Sequence, residues 1–215
     1  MDRVKNSLEA FKSNHVNGDA ADIISAKIGP EFKSMEEFHG MRILDPDQMT
    51  AAQKAKMQLL RGKIEAPSGC SMQKVILEAD IDNYMSQTNP WKTVKGYVTR
   101  EVDVADIKST QGFWDELRLD YDPTPHTPTG RKGVIKFKNS GPEIPSAGIS
   151  SDGYPATGTG FLSNKSGNVR PEFHIVDGAD VNLSIGDELW EAVDGSDLNL
   201  LGEWDGIKFV KPKVN

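Results

Sequence analysis

Cysteine is almost absent from this sequence, and so are other residue patterns that mark common chemistries. Cys70 is the single cysteine among 215 residues, which excludes an internal disulfide and a zinc site built from several cysteines. The four histidines show no i, i+4 pairing that would place two metal ligands on one helix face. We therefore expect a function that needs neither a metal ion nor a catalytic thiol.

Long apolar runs are also missing. No stretch approaches the ~20 apolar residues that a transmembrane helix needs, so we expect no membrane span. The first fifteen residues, "MDRVKNSLEAFKSNH", lack the apolar core of a classical signal peptide. Two options remain: a cytoplasmic protein, or a fragment or cargo that is secreted or delivered into a target cell without a classical signal peptide.

Basic clusters are scarce too. The net charge is −7 and the isoelectric point is near 5.2, whereas affinity for nucleic acid depends largely on Lys and Arg that neutralise phosphates. The basic stretch "GRKGVIKFK" alternates like a strand with one solvated face. Nucleic acid is therefore not predicted as a partner.

Residues 1–66 carry the patterns of amphipathic helices. The strongest segment is "DPDQMTAAQKAKMQLLRGKIEAP", which is rich in helix-forming residues and has Asp45 or Asp47 as its expected N-cap. Its apolar positions have the spacing of a buried helix face. We expect this region to tether the remaining chain to a delivery partner or a larger protein, and not to hold a site.

Residues 67–215 change to short predicted strands separated by Gly, Asp and Asn turns. "CSMQKVILEAD", "WKTVKGYVTREVDV" and "GVIKFK" read as strands, and Ser109 is expected to begin a helix in "STQGFWDELRLDY". Four later segments, "PEFHIVDG", "DELWEAVDG", "NLLGEW" and "GIKFVKP", predict an antiparallel meander. The expected fold is α+β, with N-terminal helices followed by a mixed, mostly antiparallel sheet.

Three polar residues of this second region are candidates for chemistry. Arg100 ends "GYVTR", and its guanidinium suits a phosphate or diphosphate, or else it pairs with Glu101 or Asp103 at the surface. Glu172 follows a proline and opens "EFHIV", where its carboxylate either stabilises positive charge on a sugar or is only a turn acid. Ser163 in "GFLSNKS" is either a ligand-binding hydroxyl or a loop residue.

The stretch "YPATGTGFLSNKSGNVRPEF" leads up to Glu172 and is dense in glycine, proline and hydroxyl residues. Such density indicates that the backbone shape matters, because glycine allows close approach to a ligand and proline fixes the chain. The stretch either borders a site or only connects two strands.

Short blocks of the second region resemble C-terminal toxin modules of bacterial polymorphic and secreted effector proteins. The blocks are "MQKVI", "GYVTR", "LRLDY", "YPATGTGF" and "RPEF", within about residues 70–210. Within that class, the order of Arg100, Ser163 and Glu172 is similar to the ADP-ribosyltransferase fold. The resemblance implies that these three residues are catalytic.

The same resemblance implies NAD as substrate, with no metal, and a target protein and a cognate immunity protein as partners. The residues expected to bind NAD are Arg100, Tyr97, Thr157, Thr159 and Phe161. "SNKS" departs from the family's Ser-Thr-Ser pattern and lies close to Glu172, so "ELWE" offers Glu188 or Glu191 as the alternative glutamate.

A second hypothesis is a non-enzymatic, acidic interaction module, such as a phage or secretion-system component or a partner that blocks a toxin. Exposed aromatic residues and glycine-rich turns would serve a protein interface as well. The discriminating feature is convergence, because an enzyme should bring Arg100 and one glutamate to the same cleft.

Overall fold

The predicted α+β class is confirmed by a sheet of seven antiparallel strands with helices packed against it. The computed structural model describes residues 20–26, 32–44, 46–120, 124–147, 159–164, 166–194 and 196–212. No helix among these residues combines the length and the apolar character that crossing a membrane requires.

Six α-helices and nine strands make up the described secondary structure. The helices are α1 (Ala20–Ser25), α2 (Met35–Arg42), α3 (Ala51–Arg61), α4 (Glu78–Met85), α5 (Glu101–Val104) and α6 (Thr110–Glu116), with a 3-10 turn at Pro46–Gln48. The strands are β1 (Ser71–Leu77), β2 (Thr93–Val94), β3 (Gly96–Arg100), β4 (Lys132–Lys138), β5 (Phe173–Ile175), β6 (Val181–Asn182), β7 (Glu188–Ala192), β8 (Asn199–Trp204) and β9 (Phe209–Val210).

The main sheet has the strand order β5-β3-β1-β4-β7-β8-β9, and β2 pairs with β6 in a separate two-stranded ribbon. All the strand pairs that the structure describes are antiparallel, so the expected mixed character is not seen there. The predicted meander holds for β7, β8 and β9. It is wrong for β5, which pairs with β3 at the opposite edge because Phe173 and Ile175 enter the main hydrophobic core there.

The start of α3 also differs from the sequence prediction. The N-cap of α3 is Thr50 and not Asp45 or Asp47: Thr50 Oγ1 accepts from the backbone N–H of Gln53, whose side chain accepts from the backbone N–H of Thr50. This reciprocal capping box satisfies two donors at once. Asp47 lies in the 3-10 turn, and Asp45 is outside the described residues.

The single strand expected over "WKTVKGYVTREVDV" is divided into β2, β3 and the short helix α5. Lys95 lies between the two strands, and Gly96, the first residue of β3, has a φ of +76°, a left-handed conformation that favours glycine. Val102, expected to continue the strand, lies within α5.

The two faces of the main sheet are covered differently. One face, which we call the core face, carries residues such as Met72 and Phe137 and packs against helices of the N-terminal region through Met57 and Leu60. The opposite face carries a smaller cluster, in which Val134 packs with residues of α5, α6 and the segment around Leu162. The helices of residues 20–66 and the sheet therefore share one hydrophobic core.

Candidate functional site

A cavity of about 260 Å³ opens on the face that carries the smaller cluster, beside β1 and β3. We call this the cavity face. Side chains on alternate positions of a strand share a face, so Gln73 and Val75 of β1 reach it together, as do Tyr97 and Thr99 of β3. The lining residues are Gln73, Lys74, Val75, Gly96, Tyr97, Val98, Thr99, Leu117, Arg118, Leu119, His126, Leu162 and Glu172.

Glu172 lies in the wall of this cavity and is 8% exposed. It directly precedes β5, whose Phe173 and Ile175 point into the core, so Glu172 and His174 fall on the cavity face. The backbone of Glu172 is held on both sides. Its N–H donates to the Gly160 carbonyl at 3.1 Å, and its carbonyl accepts from the Ala147 N–H at 3.0 Å. The carboxylate therefore stands on a fixed backbone.

Tyr97 forms a flat aromatic wall next to Glu172. It lies opposite His174 in the pairing of β3 with β5, and the two rings stack with centroids 4.4 Å apart and planes 10° from parallel. A planar ligand group could pack against such a surface.

Ser163 reaches the cavity indirectly, through Arg118. Arg118 Nη1 donates to the Ser163 hydroxyl at 2.6 Å and to its carbonyl at 3.0 Å, while Arg118 Nε pairs with Asp120 at 2.7 Å. Arg118 has a φ of +52°, a strained conformation for a residue other than glycine. This arginine was not among the candidates predicted from the sequence, although the block "LRLDY" contains it.

Arg100 lies elsewhere. Its side chain is buried on the core face, opposite Met72, and makes two hydrogen bonds to the carboxylate of Asp103, at 2.7 and 2.9 Å. Its Nη1 also donates to the Glu65 carbonyl at 3.4 Å. The structure thus does not bring Arg100 to the cavity that contains Glu172, and the pairing with Asp103 is buried instead of being at the surface.

The glycine-rich stretch contributes to both faces. Phe161 is fully buried in the core and packs edge-on against Phe38 at 5.4 Å, and buried Thr159 donates to the carbonyls of Arg42 and Phe161. Neither of these expected ligand contacts lines the cavity, and Thr157 is outside the described residues. Leu162 does line it. The described part of the stretch therefore borders the cavity through Leu162.

The alternative glutamates lie on β7, which two strands separate from β3. Glu188 accepts from Trp190 Nε1 at 2.8 Å, and Glu191 pairs with Arg131 at 2.6 Å and accepts from Asn199 at 2.9 Å. Neither lines the cavity. Among the three glutamates considered from the sequence, Glu172 is the one in the cavity wall.

Two further titratable residues line the cavity and were not anticipated. Lys74 Nζ donates to the Tyr97 carbonyl at 3.2 Å, and burial lowers the pKa of Lys74 to about 8, opposed by the charges of Glu172 and Asp80. Burial, helped by the charges of Lys132 and Lys74, lowers the pKa of His126 to about 4. Lys74 could have been noticed in the sequence, because it is a charged residue within the apolar strand "MQKVIL".

Two buried arginines of the N-terminal region hold the segment that forms one cavity wall. Arg61 of α3 donates to the carbonyls of Gly160 at 2.8 Å and Glu172 at 2.5 Å, and its guanidinium lies 4.2 Å from the Phe173 ring centre. Arg42 of α2 donates to the Leu162 carbonyl. The helices expected to stand apart from the site do not line the cavity, but they fix its wall.

Seven residues with polar side chains line the cavity: Glu172, Lys74, Arg118, His126, Gln73, Thr99 and Tyr97. Such a set could bind a planar, partly anionic ligand and stabilise a positive charge next to Glu172. Among the described residues, no group of three or more His, Cys, Asp or Glu is arranged to hold a metal ion. Compared with protein-family models, curated proteins and solved structures, the chain has no significant match.

Proposed function

We propose that the protein acts on NAD at this cavity, as the toxin part of a bacterial secreted effector, by ADP-ribosyl transfer or NAD glycohydrolysis. The observation that supports this proposal is the convergence of Glu172, Tyr97 and Arg118 at one cavity, where Arg118 donates to Ser163 behind the lining. In the proposal, the anion-holding role considered for Arg100 passes to Arg118, because Arg118 lines the cavity and is partly exposed, whereas Arg100 is buried against Asp103 outside it.

The chemistry requires few groups. The bond between the ribose carbon and nicotinamide breaks, the bonding electrons leave with nicotinamide, and the sugar passes through an oxocarbenium-like state. Glu172 stabilises that positive charge from a fixed backbone position. Water or a target side chain then adds to the sugar carbon and loses a proton, which gives ADP-ribose or a modified target protein.

The size of the cavity limits how much of the ligand enters. At about 260 Å³ it falls just below the ~300–1,000 Å³ typical of sites that enclose drug-sized ligands. The nicotinamide and its ribose therefore occupy the cavity, with the ring against Tyr97. The diphosphate remains at the mouth beside the partly exposed Arg118, whose guanidinium can bind phosphate oxygens.

Nicotinamide release from NAD, together with saturable NAD binding in a thermal-shift titration, tests the proposal. Glu172→Gln should keep the melting temperature and lose ~100-fold or more in turnover, because it removes the charge that stabilises the transition state. Glu188→Gln and Glu191→Gln are matched controls and should retain activity. Absence of release and of binding by well-folded protein, with target extract present, would exclude the enzymatic function.

A non-enzymatic interaction module is the second candidate, and two observations favour it. Arg100 and Glu172 do not share a cleft, and two large apolar side chains, Ile185 at 80% and Ile207 at 67%, are strongly exposed. In this case Ile185→Ser combined with Ile207→Ser should abolish partner binding, and neither the wild type nor the variant should cleave NAD. A cognate immunity protein would be the partner expected for a toxin.

A further inference from the structure

Gln73 is a buried amide whose surroundings on the cavity face point to a particular ligand group. It lies in the middle of β1, in register with Thr99 of β3, and is 3% exposed. It also lines the cavity. Its side-chain nitrogen is buried and has no hydrogen-bond partner among the residues that the structure describes. A buried donor without a partner costs free energy, so a ligand that supplies an acceptor there gains affinity.

The neighbours of Gln73 restrict what that acceptor can be. The Tyr97 ring, stacked on His174, provides a flat wall that suits a planar ring. Glu172, in the same small cavity, is an acceptor when ionised and disfavours a second negative charge nearby. A primary carboxamide on a flat ring meets both demands, because its carbonyl accepts from Gln73 while its N–H donates to Glu172.

We propose that Gln73 determines specificity for a ring-bound carboxamide over the corresponding carboxylate, an inference that rests on the proposed action on NAD. A carboxylate in the same position offers acceptors only and places a negative charge beside Glu172. Gln73 therefore selects NAD against its deamidated analogue, in which a carboxylate replaces the carboxamide.

The test measures binding of nicotinamide and nicotinate by calorimetry at pH 7. Wild-type protein should bind nicotinamide ~10-fold or more tightly than nicotinate, the effect expected when one buried hydrogen bond and a charge repulsion differ. Gln73→Met should lose that preference and melt no lower than wild type, since it removes a buried donor. A merely structural role for Gln73 would lower the melting temperature and leave the preference intact. Gln87→Met, at an exposed position, is the matched control.

The outcomes separate this inference from the proposed function. Cleavage of NAD by a wild-type protein that binds nicotinate as tightly as nicotinamide overturns the role of Gln73 and leaves the function standing. An unchanged preference in Gln73→Met does the same. Absence of both NAD cleavage and nicotinamide binding overturns the function and the inference together. Gln73→Leu, which also removes the donor, replaces Gln73→Met in the comparison if Gln73→Met fails to fold.

Discussion

The core face and the cavity face of the sheet are built from the same strands but differ in what fills them. On β1, Met72 and Ile76 point into the hydrophobic core under the N-terminal helices, whereas Gln73 and Val75 point to the cavity face. The period of two along a strand lets one segment contribute to stability on one face and to a polar cavity on the other. Substitutions on the two faces should therefore have separable effects.

The arginines also differ between the core face and the cavity face. Arg100 and Arg61 lie on the core side, where Arg100 is paired with Asp103 and Arg61 donates to backbone carbonyls. Arg118 lies at the cavity, is partly exposed and pairs with Asp120. Arginines on the core face bind buried groups of the chain, whereas Arg118 on the cavity face binds Asp120 and Ser163 and remains partly exposed.

The largest expected effect comes from deleting residues 1–66. Because Met57 and Leu60 belong to the core that covers the sheet, the remaining chain would expose that apolar surface and should lose its cooperative unfolding transition. Circular dichroism during a urea titration measures this. A truncated protein that unfolds cooperatively would show that the sheet depends less on the N-terminal helices than their shared core indicates.

Arg61→Met should give the next largest effect. It leaves the carbonyls of Gly160, Ile64 and Glu172 without their charged donor, and a hydrogen bond to a charged group contributes roughly 1.5–3 kcal/mol. We expect the free energy of unfolding to fall by at least ~2 kcal/mol. Arg131→Met, which breaks only the surface pair with Glu191, is the control and should cost ~0–1 kcal/mol. Equal losses for the two variants would contradict the assignment of Arg61 to the core.

Two substitutions of Arg118 distinguish an effect on backbone strain from an effect on ligand binding. Arg118→Gly and Arg118→Ala both remove the guanidinium, so both should weaken NAD binding. Only glycine relieves the left-handed backbone at φ +52°, so the glycine variant should be more stable than the alanine variant by ~1 kcal/mol. Urea denaturation gives the difference, and equal stabilities would show that the residue is not strained.

The regular features of the fold could be predicted because they follow local rules. Ser109 caps α6 by accepting from the Gly112 N–H, as its position before the helix predicts, and the turns between β7, β8 and β9 produce the expected meander. The position of β5 and the N-cap of α3 could not be predicted in this way. The first depends on which distant strand Phe173 meets in the core, and the second on competition between neighbouring caps.

The residues at the cavity likewise divide into those that a local pattern indicates and those that depend on tertiary contacts. Glu172, which lines the cavity, could be singled out from the sequence because a polar residue before an apolar strand is a local pattern. Whether a side chain faces the core or the cavity depends on the register, and this is why Phe161 and Leu162, adjacent in sequence, lie on opposite sides. Arg118 and Gln73 enter the cavity through tertiary packing that no local pattern in the chain indicates.

The last expected effect is a dependence of stability on pH through Lys74. Burial lowers its pKa from an ordinary value of 10.5 to about 8, with Glu172 and Asp80 opposing and Lys95 reinforcing the shift. Between about pH 8 and 10.5 the unfolded chain binds a proton that the folded protein does not, so stability due to this group rises with pH there. Below about pH 8 the penalty for a buried ammonium is fully present.

Lys74→Met removes that penalty and should stabilise the protein relative to wild type most strongly below pH 8, with the advantage declining as pH approaches 10.5. Arg61, whose pKa burial lowers to about 9, contributes to the pH dependence of both proteins, so the difference between them isolates Lys74. Urea titrations at pH 7, 8, 9 and 10 measure that difference, with the exposed Lys138→Met as control. Parallel stability curves for wild type and Lys74→Met would mean that the Lys74 ammonium remains hydrated in the folded protein.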